Sequence, residues 1–158
     1  MRLAFHTGAA LALGLFPLTA LAGDPEAGAE AFQRQCSNCH MVQNEAGETL
    51  AGRNARQGPN LYGVIGRQAG IVDGFRYGAS MVEAGEAGLV WDEPSVLAYL
   101  QNPNGFLREV LGNNLARGQM AFQVRSETDA ADLYAFLATF SPATEGEDDE
   151  ENGEAAAD

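Results

Sequence analysis

The chain contains no lysine, only two cysteines and two histidines, and no long apolar run after residue 22. Because it has no lysine and a formal net charge of -13, it lacks the basic surface that nucleic acid binding needs. A zinc site of two cysteines and two histidines would need His6, which lies in a segment that we expect to be removed. The sequence therefore excludes nucleic acid as a partner, such a zinc site, and a transmembrane segment in the mature chain.

The first 22 residues have the pattern of a secretory signal peptide. Arg2 gives a positive start, residues 9–18 form an apolar stretch too short to span a bilayer comfortably, and Ala20 and Ala22 form a small-residue cleavage site. We expect cleavage before Gly23 and export to the bacterial periplasm as a soluble protein. The open alternative is an uncleaved amphipathic anchor.

The other end of the chain, residues 143–158, contains eight acidic residues, no basic ones and no large apolar ones. Such a segment cannot bury enough apolar surface to offset the entropy of ordering it, so we expect an acidic, disordered tail. Residues 23–142 remain and have the length of one domain. This domain carries fourteen acidic side chains and eight arginines, so it is acidic even without its tail.

The sequence Cys36-Ser37-Asn38-Cys39-His40 has the C-x-x-C-H spacing of a covalent attachment site for haem. Each thiol can add across a vinyl group of one porphyrin, and the imidazole that follows can become an axial ligand of the iron. Two other interpretations are half of a zinc site and a dithiol redox couple, which normally lies between a strand and a helix. A predicted helix precedes the motif and a glycine-rich loop follows it, which favours one haem c.

Helices joined by long glycine-bearing loops account for the rest of the domain. Asp24 can cap a first helix with Pro25 in its first turn, and Gly28, Phe32 and Cys36 then recur at four-residue steps along one face. Capping and stop signals predict three further helices, over about residues 94–100, 106–111 and 126–140. No stretch alternates like a strand for more than a few residues, so the predicted fold class is all-α.

A ligand on the other face of the iron must be a residue other than histidine, or be absent, because His40 is the only histidine of the mature chain. Met41 follows His40 directly and cannot reach the opposite face. Met81 lies in a predicted loop of small residues, and Met120 lies in a long predicted loop ahead of the last helix. Either methionine could instead fill a gap in the core, so the residues alone leave the choice open.

With these features the chain resembles the class I cytochromes c, and in particular the soluble periplasmic carriers of bacterial respiratory and photosynthetic chains. The resemblance extends over essentially all of residues 24–140, and its motifs occur in the order that the family has. They are Gly28, Phe32, Trp91, Tyr99 and Met120, together with residues 36–40, 58–67, 75–77, 102–103 and 133–137. The resemblance implies a single small all-α domain wrapped around one covalently bound haem c, acting as a monomeric electron carrier and not as an enzyme.

The resemblance also implies roles for residues around the iron. His40 and Met120 would be the two axial ligands, as the metal-binding residues of the site. Pro59 would accept a hydrogen bond from the His40 ring through its backbone carbonyl, and Tyr99 would lie near the Met120 sulfur. A thioether is a weak donor that favours ferrous iron, so this ligand pair would raise the reduction potential.

Three further residues would meet a buried propionate of the haem, according to the resemblance. Tyr77 and Trp91 would donate hydrogen bonds to it, and Arg67 would lie beside it. The physical reason is that a carboxylate removed from water costs several kcal/mol unless donors and a positive charge surround it.

The partners that the resemblance implies are redox proteins. A quinol-oxidising cytochrome complex would be the electron donor, and a terminal oxidase, a reaction centre or a periplasmic enzyme would be the acceptor. Family members usually present a ring of lysines around the exposed haem edge, and this chain has only arginines to offer there. Arg34, Arg117 and Arg125 flank the haem-binding segments and are candidates for this role, or else ordinary solvated charges.

Two other functions compete with that of an electron carrier. A haem enzyme or small-ligand sensor with an open sixth site, similar to a peroxidase, is favoured if Met120 does not bind the iron. The sequence shows no distal histidine and no spare acid-base pair to support it. A haem domain held permanently against an enzyme would need a sizeable exposed apolar patch.

Overall fold

The computed structural model describes residues 23–141, and both the predicted signal peptide and the predicted acidic tail lie outside this range. Within the range the helices are α1 (Pro25–Gln35), α2 (Ala79–Glu86), α3 (Glu93–Gln101), α4 (Pro103–Leu111) and α5 (Glu127–Ala138). Strands β1 (Met41–Gln43) and β2 (Thr49–Gly52) follow α1 and form a short antiparallel pair.

The two strands pair with Met41 opposite Gly52, and their register shifts between Val42 and Gln43. This small hairpin is the one strand pair of the described range, so the prediction of an all-α fold is confirmed. No helix between residues 23 and 141 is long and apolar enough to cross a membrane.

Helices α1 and α5 form the most extensive interface between elements, and their backbones cross very closely. A Cβ added at Gly28 would lie 2.0 Å from the carbonyl oxygen of Asp132 and 2.7 Å from the Cβ of Phe136, so only glycine fits. Beside the crossing, the rings of Phe32 and Phe136 pack with their centroids 5.5 Å apart. The Asp132 carboxylate accepts a hydrogen bond of 2.8 Å from the backbone N–H of Asp24. These contacts fix the direction in which α1 runs.

Capping residues set the ends of most helices as the sequence indicates. The side chains of Asp24, Asp92 and Ser126 accept hydrogen bonds from backbone N–H groups in the first turns of α1, α3 and α5. Gly112 ends α4 with a φ of 59°, in the left-handed region that favours glycine. The predicted first, second and last helices are confirmed in position.

Helix α2 is absent from the sequence-based prediction, and the expected loop around Met81 is wrong. The helix has no capping side chain at Gly78 and contains Gly85, so its local signals are weak. Tertiary packing stabilises it instead, because Met81 is buried and Gly85 lies directly on the backbone of Ala69. A Cβ at Gly85 would be 2.0 Å from the Ala69 carbonyl oxygen.

Two predicted helix ends also differ from the structure. Helix α4 begins at Pro103, before its predicted start, because the Asn102 side chain caps it. Pro103, predicted as the stop of the preceding helix, is equally suited to the first position of the next one. Helix α5 ends at Ala138, so Phe140 lies beyond it and packs on Phe136 with ring centroids 5.0 Å apart.

Replacing Gly28 by alanine should destabilise the protein, because the new Cβ would force α1 and α5 apart. We expect the free energy of unfolding to fall by about 1–3 kcal/mol, the usual cost of overpacking a core. Guanidinium unfolding followed by circular dichroism measures it. Gln33→Ala, at an exposed position of the same helix, is the control and should change stability by less than about 0.5 kcal/mol. Equal stability of both variants would contradict the close crossing.

Candidate cofactor site

The C-x-x-C-H motif forms a tight turn at the C-terminal end of α1. Cys36 is the C-cap, and its N–H donates to the carbonyl of Phe32 at 2.8 Å. The N–H groups of Cys39 and His40 donate to the carbonyl of Cys36 at 3.0 and 2.9 Å. The buried Ser37 hydroxyl donates to a carbonyl of α1 at 2.7 Å. As a result, both sulfurs and the imidazole lie on the lining of one cavity.

The imidazole of His40 is held in place by the backbone of the loop that contains Pro59. Its Nδ1 lies 3.0 Å from the carbonyl oxygen of Pro59, and since a carbonyl can only accept, Nδ1 carries the proton. Burial lowers the pKa of His40, although the hydrogen bond to Pro59 acts in the opposite direction. Burial thus favours the neutral ring, in which the proton lies on Nδ1 and the lone pair of Nε2 is available to a metal.

Gly58 lets this loop approach the ring. Its N–H donates to the Cys39 carbonyl at 2.7 Å, and a Cβ added to it would lie 2.3 Å from Cε1 of His40. No side chain larger than hydrogen fits here without moving the imidazole. The backbone bond and the close contact together fix the ring plane.

The two thiols have different surroundings. Burial, with a smaller contribution from Cys39, raises the pKa of Cys36 to about 12. Cys39 is exposed, and its Sγ lies 3.3 Å from the side-chain oxygen of Gln57. A dithiol redox couple needs a thiol whose pKa is lowered, which is the reverse of the shift at Cys36. The burial of Cys36 therefore favours an attachment site over a redox dithiol.

A cavity of about 570 Å³ lies between the motif and the chain segment that contains Met120. Its volume is in the usual range for a site that takes a cofactor. Much of its wall is apolar and comes from α3 and α5, namely Val96, Leu100, Leu133 and Leu137. The charged side chains on this wall are Arg34 and Arg67, and no aspartate or glutamate of residues 23–141 lines it.

Both candidate methionines line this cavity, but they are held differently. Met81 is 7% exposed and belongs to α2, where it packs in the core. Met120 is half-buried in an irregular segment, next to Gln119, Ala121 and Phe122. Met41 is buried in β1 and does not line the cavity.

Arg67, Tyr77 and Trp91 meet at another part of the cavity wall. The Arg67 guanidinium donates to the carbonyl oxygen of Tyr62 at 2.7 Å and to that of Asn60 at 3.2 Å. Burial lowers the pKa of Arg67 and raises the pKa of Tyr77, while each group opposes the shift of the other. The Arg67 guanidinium and the Tyr77 phenol are together suited to binding an anionic group.

Tyr99 lies inside an aromatic cluster on the same wall. Its ring centroid is 5.0 Å from that of Trp91 and 5.9 Å from that of Phe106. Burial raises the pKa of Tyr99 to about 12, with a further contribution from Tyr77. A Cβ at Gly118 would lie 3.5 Å from the Tyr99 hydroxyl, so this hydroxyl faces the segment that carries Met120.

The structure thus brings every residue predicted for the site to one cavity: Cys36, Cys39, His40, Pro59, Arg67, Tyr77, Trp91, Tyr99 and Met120. Residue-by-residue reasoning missed the contact of Gly58 with the imidazole and the contact of Gln57 with Cys39. It also missed Asn60, whose side chain exchanges two hydrogen bonds, of 2.9 and 2.7 Å, with the backbone of Gln43. The residues between the motif and Pro59 show no hydrophobic periodicity. Gly58 and Asn60, on either side of Pro59, were the only sequence signals of an unusual backbone conformation.

The chain is similar to cytochromes of several bacteria. Cytochrome c2 of Rhodovulum adriaticum is 56% identical over 119 residues, which span 75% of this chain and 94% of that protein. Cytochrome c2 of Cereibacter sphaeroides is 49% identical over 127 residues, or 80% of this chain and 87% of the relative. A solved structure of cytochrome c2 from Rhodobacter sphaeroides has a TM-score of 0.73 and 49% identity, covering 75% of this chain and 97% of that one. No protein-family model matches the chain.

Gly58→Ala should disturb the site at the imidazole, because the new Cβ would lie within 2.3 Å of the His40 ring. We expect a lower yield of protein with covalently attached haem, and a shifted absorption spectrum in the fraction that matures. Gly78→Ala is a matched control, since Gly78 also lines the cavity but its Cβ would meet Gln119 at an ordinary 3.4 Å. Wild-type yield and spectrum in both variants would contradict the role given to Gly58.

Proposed function

The chain belongs to the class I c-type cytochromes, and on this premise we propose that it is a soluble periplasmic carrier of single electrons. Like its relatives it carries one covalently bound haem c and transfers electrons without being an enzyme. The observation that supports the proposal best is the meeting of Cys36, Cys39, His40 and Met120 around one largely apolar cavity.

Cys36 and Cys39 would hold the haem through two thioether bonds. Each S–H adds across one vinyl group, so that sulfur bonds to one carbon, hydrogen bonds to the other, and nothing is released or oxidised. Both cysteines are free thiols on the cavity lining, as this addition requires. When bound, the haem supplies an iron that gains or loses one electron.

His40 and Met120 would be the residues that hold the iron. The Nδ1–H of His40 is engaged by Pro59 at 3.0 Å, which leaves Nε2 for the iron and fixes the tautomer. The sulfur of Met120 would be the second ligand and would favour the ferrous state, as would the apolar wall around it. With both positions filled, small molecules have no vacant site on the metal.

Arg67, Tyr77 and Trp91 would hold a propionate away from water. Arg67 uses its contacts to Tyr62 and Asn60 to keep its guanidinium in place, and it retains further N–H donors for a carboxylate. A carboxylate paired in this way avoids most of the cost of burial. Tyr99, which faces the Met120 segment, would lie near the sulfur of the ligand.

The geometry gives little support to a peroxidase-like enzyme or a ligand sensor. A sensor needs an open position on the iron, and a peroxidase needs an acid or a base beside it as well. Among residues 23–141 no carboxylate lines the cavity, and His40, whose Nδ1 is engaged by Pro59, is the one histidine there. Met120 would close the remaining position.

We further propose the location and partners of the protein. Residues 1–22 would direct export to the periplasm, where the mature chain would act as a monomer. It would take an electron from a quinol-oxidising cytochrome complex and pass it to a terminal oxidase, a reaction centre or a periplasmic enzyme. The support is the signal-peptide pattern and the similarity to cytochromes c2.

The docking surface would combine arginines with exposed apolar side chains near the Met120 segment. Arg34 lines the cavity, and Arg117 and Arg125 are exposed on either side of Met120 along the chain. Leu115, 82% exposed, lies just before this segment, and Phe122, 48% exposed, belongs to it. Exposed groups of this kind fit a partner surface that is acidic with an apolar centre.

Met120→Ala should remove the iron–methionine charge-transfer band in the near-infrared spectrum of the oxidised protein. It should also lower the reduction potential and open the iron to cyanide, because a soft ligand has been removed. Met81→Ala is the matched control: Met81 lines the same cavity, but its truncation should reduce stability by about 2–5 kcal/mol and keep the band. Loss of the band in Met81→Ala alone would show that the ligand is Met81.

Reversing Arg34 or Arg117 to glutamate should slow electron transfer to a partner with an acidic docking surface. We expect a rate at least about tenfold lower at low ionic strength, a smaller effect at high salt, and a nearly unchanged potential. Arg53→Glu changes the net charge equally at an exposed position that does not line the cavity, and it should have less effect. A wild-type rate that rises with added salt would mean that repulsion dominates the encounter.

A further inference from the structure

Two side chains from neighbouring helices hold the backbone just ahead of Met120. The side-chain oxygen of Asn104 accepts a hydrogen bond from the N–H of Gly118 at 2.9 Å. The hydroxyl oxygen of Ser80 accepts one from the N–H of Arg117 at 3.1 Å. Asn104 lies in the first turn of α4 and Ser80 in the first turn of α2, and these helices pack on each other.

The Met120 segment, residues 117–123, is also anchored by the residues just before and just after it. On the earlier side, the Arg108 side chain also donates to the Ala116 carbonyl at 3.3 Å. On the later side, the N–H of Val124 donates to the Leu100 carbonyl at 2.8 Å. Residues 119–123 themselves make no hydrogen bond to any other residue between 23 and 141. The methionine therefore sits in a short span between two fixed points.

Gly118 is the last fixed point before the methionine, and it is half-buried. A Cβ added there would lie 3.2 Å from the end of the fully buried Leu107 and 3.5 Å from the Tyr99 hydroxyl. An amide that loses its partner in such a place is costly, so the bond strongly favours one backbone position.

We propose that Asn104 is a positioning residue for Met120, with Ser80 as a second support. The proposal depends on Met120 being an iron ligand, as given under the proposed function. The entropic cost of holding a residue in place grows with the length of free chain around it. Without the anchors at 117 and 118, that free chain would extend back to Ala116, which is buried and held by Arg108. Asn104 thus shortens the free span and keeps the sulfur in place.

Imidazole, which competes with methionine for ferric iron, is the probe for this role. In Asn104→Ala the apparent affinity for imidazole should rise about two- to tenfold, the range that one hydrogen bond of ordinary net strength gives. Asn104→Asp keeps an acceptor oxygen in the same place and should behave like the wild type. Ser80→Ala should shift the affinity in the same direction as Asn104→Ala.

Asn102→Ala is the matched control for a general effect on α4. Asn102 lies two residues earlier and caps the same helix by accepting a hydrogen bond from Gly105 at 3.0 Å, without touching the Met120 segment. It should lower the thermal midpoint and leave imidazole affinity unchanged well below that midpoint. Equal imidazole affinity in Asn104→Ala and Asn102→Ala would overturn the proposal.

Two further measurements test the proposal and its premise separately. Loss of the near-infrared band in Met120→Ala tests the ligand, whatever Asn104 does. Hydrogen exchange at the Gly118 amide tests the anchor without any mutation: it should be slow, while the amides of residues 119–123 exchange faster. A Gly118 amide that exchanges as fast as those of residues 119–123 would overturn the anchor, even if Met120 is the ligand.

Discussion

The crossing of α1 and α5 at Gly28 is the contact on which the rest of the site depends. It sets the direction of α1, and the motif at the end of that helix takes its position from it. The following loop then packs onto the motif through a second close contact, where Gly58 lies against the His40 ring. Both contacts leave no space for a methyl group, so each element is located by van der Waals repulsion as well as by hydrogen bonds. A site assembled in this way tolerates little displacement of α1.

Sequence reasoning was correct for features that depend only on residues close together in the chain. The capping residues Asp24 and Ser126 predicted α1 and α5 because a cap acts on its own first turn, and the C-x-x-C-H spacing predicted the cofactor because both thiols react with one ring. It failed at α2, whose helix depends on Gly85 packing against another loop. The residues alone left the choice between Met81 and Met120 open, and the resemblance selected Met120. Packing shows that Met81 is a core residue of a helix. The roles of the site residues on the haem stay predictions.

The distribution of charge separates the site from the rest of this acidic domain. Its charged wall residues are Arg34 and Arg67, and no carboxylate of residues 23–141 lines the cavity, although Glu30 pairs with Arg34 at 3.5 Å. Arg67 is fixed by backbone carbonyls rather than by a carboxylate, so its positive charge is not neutralised within the fold. A bound group that carries carboxylates of its own would meet an uncompensated cation there. The chain can therefore have a negative net charge and still have a cavity whose charged wall residues are positive.

The hydrogen bonding of the cavity wall has a consequence for the rate at which charge can move. Between residues 23 and 141 no buried side-chain nitrogen or oxygen lacks a hydrogen-bond partner. The polar groups at the wall, such as the guanidinium of Arg67, are held by the backbone, and the aromatic rings of Trp91 and Tyr99 pack against each other. Dipoles that are already fixed cannot reorient when the charge in the cavity changes by one unit. A wall of this kind would keep the protein's share of the reorganisation energy small when one electron enters or leaves.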